Sequence, residues 1–147
     1  MAYTNAISSY REARVNTASQ GQLIIMLYEA AVKQLDRALE FLEAKSEIKT
    51  NLANIEKISK AILKTQEIIT ELTVSLDFEQ GGDIAKNLFS LYTWFNKELL
   101  EANIQHDAGR IFAVRSHLQD LKGAWIEAAA QVTSDANKTI SGVNIAG

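Results

Sequence analysis

The sequence predicts an all-α protein, an antiparallel up-down four-helix bundle, and three observations carry that reading. Proline is absent and only 7 of 147 residues are glycine, so little in the chain interrupts a helical backbone ladder. Hydrophobic residues make up 47% of the chain, enough for a substantial core. Four segments repeat their apolar residues every three or four positions, the period of a helix with one buried face.

The first segment opens at Ser19-Gln20-Gly21-Gln22, where Ser19 suits a cap and Gln22 the reciprocal contact of a capping box. Its stripe is Ile24, Tyr28, Ala31, Leu35, Ala38 and Leu42. Ile25, Val32 and Leu39 widen it on one side and Leu23 and Leu27 on the other, an arc broader than one neighbouring helix needs. A polar break over Lys45–Asn51 follows. The second helix is expected from about Thr50, with Ile55, Ile58, Ile62, Ile69, Leu72 and Leu76 on its face. The run Asp77-Phe78-Glu79-Gln80-Gly81-Gly82 reads as the stop, with glycine supplying the left-handed terminus.

The third helix carries Ile84, Leu88, Leu91, Phe95 and Ala102, with a second stripe of Ala85, Phe89, Tyr92 and Leu99 beside it. Asn103–Asp107 closes it, and Asp107 is placed to cap the fourth helix, whose stripe is Ile111, Val114, Leu118, Leu121 and Trp125. Short connections make antiparallel neighbours the simplest packing. Three regions result: a mobile N-terminal segment over 1–16, a bundle domain over 17–132, and a flexible tail over 133–147. The tail is rich in Ser, Asn, Thr and Gly and is expected to be disordered unless a partner orders it.

Several function classes fall away on composition. A net charge of -3 with pI near 5.4 provides no footprint for nucleic acid. The absence of cysteine removes disulfides, thiol catalysis and cysteine-based metal sites. The polar start of the chain has no signal-peptide core, and apolar runs such as Leu23–Tyr28 are far too short for a membrane span. The expectation is a cytoplasmic protein without membrane insertion.

No catalytic constellation emerges, and the chain reads as no enzyme, with no cofactor and no metal. His106 and His117, the only histidines, do not share a ligand spacing and read as exposed or partly packed rings. Glu98 and Glu101 have the spacing of a di-iron motif without its histidine. Gly81-Gly82-Asp83 lacks the Lys-Ser/Thr of a phosphate loop, and a turn accounts for it. The pairs Asp36/Glu40 and Glu98/Glu101, among Lys33, Arg37 and Lys97, read as solvated faces with ion pairs along each helix. What remains is apolar surface with aromatic anchors. Tyr28 and Trp125 lie on main stripes and read as core. Tyr92 and Phe89 stay open between core and partner contact, and Trp94, between stripes, reads as partly exposed.

Three blocks carry a family resemblance. Val15–Ala31, with Thr17-Ala18-Ser19 leading into Leu23-Ile24-Ile25-Met26-Leu27-Tyr28-Glu29, resembles the start of the flagellin-specific export chaperones, the FliS family. The second block is Leu72–Leu91, including Leu76, Gly81-Gly82, Ile84-Ala85 and Asn87-Leu88. The third is Leu99–Asn103 with Asp107, then Leu118, Leu121-Lys122 and Trp125. Their order and spacing over about residues 10–128 make the set specific where each block alone is modest. Gln20 stands in place of the usual proline, Ala30 in place of a common glycine and Lys122 where arginine is frequent, and a lysine cannot make arginine's bidentate contact.

The resemblance implies a protein that binds the disordered C-terminal segment of flagellin, prevents its premature polymerisation and keeps it export-competent, with room for further partners among the flagellar export components. On that reading Ile68, Leu72, Ala85, Leu88, Phe89 and Tyr92 offer the groove and Asn103 a polar contact or a helix cap. Ile7, Tyr10 and Val15 form a removable lid. The rival expectation is a structural or adaptor bundle that homodimerises through its wide apolar faces.

Overall fold

The computed structural model describes residues 20–47 and 52–146, the ends of the helices at 44–47 and 132–146 by their backbone alone. Four helices make up these residues: α1 (Gln20–Glu47), α2 (Leu52–Val74), α3 (Phe78–Gln105) and α4 (Ala108–Ala146). No strand occurs among the described residues. The chain divides into two compact units. One is Leu27–Gln119, and the other comprises Met1–Met26 with Asp120–Gly147.

Leu27–Gln119 contains the bundle, and side-chain bonds fix the run of its helices. Asn103 Nδ2 donates to Ser59 Oγ, and Gln66 Nε2 donates to the Asn96 carbonyl. Seven steps forward on α2 are therefore seven steps back on α3, so the two are antiparallel and in register. Asp36 meets Arg115, Phe41 meets Lys57 and Trp94 meets His117, tying α1 to α4, α1 to α2 and α3 to α4.

This register stacks the core in layers. Tyr28, Ile69, Tyr92 and Leu118 form one; Ala31, Thr65, Phe95 and Val114 the next; Leu35, Ile62, Leu99 and Ile111 a third. All twelve are buried, and the stripes on the four helices converge there. Thr65 is the sole buried polar side chain among them apart from the tyrosines, and its hydroxyl donates to the Ala61 carbonyl one turn back. That bond lets a polar group enter the core satisfied.

In the second unit Leu23 and Ile24 are buried, Trp125 is half-buried, and Met26 and Ile126 are exposed. The fourth helix continues to Ala146. No proline stands in its way, and Ser, Thr and Asn lower helix propensity by only a few tenths of a kcal/mol each. Ser19 and the lid positions Ile7, Tyr10 and Val15 lie outside the described residues.

The α2–α3 connection differs from expectation. The helix begins at Phe78, and Asp77 caps it, with Oδ1 accepting from the Glu79 and Gln80 amides at 3.1 Å. Gly81-Gly82 thus lie inside α3 rather than in the turn before it. Gly82, at φ 51° and ψ -123°, makes a kink there. A Cβ on Gly81 would stand 2.9 Å from the Ala85 Cβ. Gly82→Ala is expected to lower stability by about 1–3 kcal/mol, because this backbone region is open to glycine alone. A urea-unfolding midpoint equal to that of the parent would contradict this account of the kink.

Asp107 does cap α4, accepting from Gly109 and Arg110 amides at 3.0 and 3.3 Å. The ion pairs expected along single helices run between helices instead. Asp36 binds Arg115 Nε at 2.9 Å, and both Glu98 carboxylate oxygens accept from Arg110 Nη1 at 3.0 and 2.9 Å. The hydrogen bond to Glu98, then its charge, holds the Arg110 guanidinium above its ordinary pKa. A carboxylate finds the nearest cation in three dimensions, and here bundle register brings that cation from α4.

Candidate functional site

The bonds from Ser59 to Asn103 and from Gln66 to the Asn96 carbonyl mark the line along which α2 and α3 meet. Immediately outside it, each helix presents apolar residues to solvent. On α3 these are Phe89, Leu100 and Ile104, spaced by eleven and four; on α2 they are Leu63 and Val74, spaced by eleven. Both spacings return to the same side of a helix. The five residues are 47–68% exposed, far more than isolated core-edge side chains require. Thr70 and Thr93 fall within the same two rows, and each donates its hydroxyl to its own helix, to Gln66 O and Phe89 O. The hydroxyls are thereby withdrawn from the surface, and exposed Glu67 lies between Leu63 and Val74 on the α2 row.

Phe78 extends the seam at one end, its ring edge-on to Phe89 at 6.1 Å between centroids and itself 48% exposed. Leu88 is half-buried beside it. Ile68, Leu72, Ala85 and Tyr92 are buried in the core, so of the residues expected to offer a groove only Leu88 and Phe89 present area to solvent. Asn103 lies fourteen residues beyond Phe89, about 21 Å along the axis, and is half-buried with its amide engaged by Ser59. The helix cap at that end is His106, in left-handed backbone, whose N–H donates to Ala102 O.

Leu63, Val74, Phe78, Leu100 and Ile104 were missed from sequence. Their signal was present: Leu100 and Ile104 follow Phe89 at helical spacing, about a quarter turn from the core stripe.

Tyr92 is core. Its hydroxyl is hydrogen-bonded to that of Tyr28, between α1 and α3. Burial first, then the neighbouring Tyr28 charge and hydrogen bond, pushes the Tyr92 hydroxyl far above the ordinary tyrosine range. It stays protonated in the fold while the unfolded chain ionises near pH 10. Stability from this group is present below pH 10 and falls as pH rises beyond it, by up to about 1.4 kcal/mol per pH unit for one proton. Tyr92→Phe is expected to unfold at lower urea than the parent at pH 7 and to lose less on going to about pH 11. Equal alkaline losses in the two proteins would remove Tyr92 as their source.

Among the described residues no three His, Cys, Asp or Glu side chains are grouped to hold a metal, and no helix is long and apolar enough to cross a membrane. His117 packs edge-on against Trp94 at 5.4 Å and near Phe95 at 6.0 Å.

Fold and site together define an antiparallel four-helix bundle with exposed apolar residues along the line where α2 and α3 meet. Residues 3–132 match the sequence model of the family described as Flagellar protein FliS. The chain belongs to that family. It is 40% identical to the flagellar secretion chaperone FliS of Salmonella typhimurium, over 78% of this chain and 79% of that protein. With its Escherichia coli counterpart it shares 32% over 79% and 80%, and with that of Bacillus subtilis 27% over 92% and 94%. A bacterial flagellar chaperone of known crystal structure shares the fold, with a TM-score of 0.66 over 86% of this chain and 98% of the other at 19% identity.

Proposed function

We propose that this chain is a cytoplasmic flagellar export chaperone that binds the C-terminal segment of flagellin and keeps it from polymerising before export. The exposed seam between α2 and α3 is the observation that carries the reading, and membership of the FliS family and the names of the relatives direct it to this client. A disordered segment that folds into a helix on the seam lays its apolar face along Phe89 and Leu88 and, further along the axis, Leu100 and Ile104. Ile68, Leu72, Ala85 and Tyr92 belong to the core that holds α2 and α3 together, and Asn103 borders the far end of this surface. Part of the energy gained there orders the ligand. Ile7, Tyr10 and Val15 serve as the lid that covers apolar surface until the client displaces it.

The test is a calorimetric titration of the full chain with intact flagellin and with flagellin lacking its C-terminal segment. Binding to intact flagellin alone supports the reading; equal binding to both, or to neither, rejects it.

A further inference from the structure

The other flank of α2 has opposite chemistry. Where α2 lies against α1, three rungs face each other across a cleft of about 110 Å3: Gln34 with Lys64, Arg37 with Lys60, and Phe41 with Lys57. Each row has spacings of three and four, so both helices turn one continuous face to it. Buried Ala61 lies at the base, and Lys57 Nζ stands 5.4 Å over the Phe41 ring. Four of the chain's 15 basic residues meet here although the net charge is -3. Arg37, Lys60 and Lys64 are exposed and make no ion pair among the described residues, whereas Arg110 and Arg115 on α4 do.

From this ladder we propose that the α1–α2 cleft is a second docking site, whose occupant is an acidic helical segment of a protein partner. At about 110 Å3 the cleft is too small to enclose a drug-sized ligand, which needs about 300 Å3 or more, so the occupant lies along it. Lys57 and Lys64 are seven residues apart, about 10.5 Å along the axis, which suits carboxylates one heptad apart on a partner helix. Glu40, Glu56 and Glu67, exposed on the same two helices, interrupt the positive field. A few discrete carboxylates tolerate them better than the continuous charge of nucleic acid or an anionic bilayer. This site is independent of the α2–α3 seam and of the client proposed for it.

The probe is a short alanine-rich helical peptide with glutamates one heptad apart, followed by amide NMR shifts on the full chain, with the glutamine version of the peptide as control. Saturable shifts at Arg37, Lys57, Lys60 and Lys64 are expected for the glutamate peptide. Affinity should fall about tenfold in Arg37→Gln/Lys60→Gln/Lys64→Gln, as the sum of a few exposed ion pairs, and persist in Lys60→Arg/Lys64→Arg. Raising salt from about 0.05 to about 0.5 M should weaken binding by the parent chain, a reading that does not depend on any variant folding. Equal binding of the glutamine peptide, shifts elsewhere, or indifference to salt overturns the proposal. So does tighter binding of phosphatidylglycerol vesicles or inorganic phosphate through the same residues.

Discussion

Replacing Phe95 by alanine is expected to cost about 3–5 kcal/mol, the range for losing a fully buried phenyl ring together with the cavity it leaves. Phe95 has no exposure, and its ring lies about 6 Å from those of Tyr92, Trp94 and His117, which reach it from α3 and α4. Register places it level with Ala31 and Thr65, residues too small to expand into the space. A domain of this kind has about 5–15 kcal/mol of stability in all, so the variant should unfold at a much lower urea concentration with an unchanged slope. A loss below about 1 kcal/mol would mean that the middle layer collapses around the deletion, contrary to its described packing.

Phe89→Asp combined with Leu100→Asp should weaken flagellin binding by at least about a hundredfold while leaving helical circular dichroism intact. The two side chains are 47% and 52% exposed, so the fold loses little when they become charged. A charge set against an apolar ligand face, by contrast, removes two anchors and must be desolvated on binding. Phe112→Asp is the control: it is 58% exposed on α4, away from the seam. Equal weakening by this control would move the binding surface off α2 and α3.

The levels of this structure are unequally visible in the sequence. Core stripes were legible because periodicity reports directly on which face a helix buries, and Tyr28, Leu35, Ile62, Ile111 and Leu118 all sit where their spacing puts them, whereas on α3 Ile84 of the main stripe is exposed and Leu99 of the second stripe is buried. Asp107 was legible as a cap because an Asp just ahead of an apolar period has few other roles. Asp77 has the same form, but the neighbouring Gly81-Gly82 gave a competing signal, and glycine marks a kink within a helix as readily as a stop. The seam was half legible. Phe89 was assigned to a face shared by the second and third helices, whereas Leu100 and Ile104 were passed over, because periodicity gives an angle around one helix and not which flank a neighbour leaves uncovered. Tyr92 could not be decided for the same reason: its place depends on Tyr28, sixty-four positions away.

That tyrosine pair also acts as a key. Slide α1 by one turn against α3 and the Tyr92 hydroxyl faces hydrocarbon, at a penalty of about 1–3 kcal/mol, while a leucine in its place would accept the slipped position almost indifferently. The bundle thus discriminates against its own misaligned neighbours by punishing them, and the selectivity survives even where the pair adds little to the aligned state.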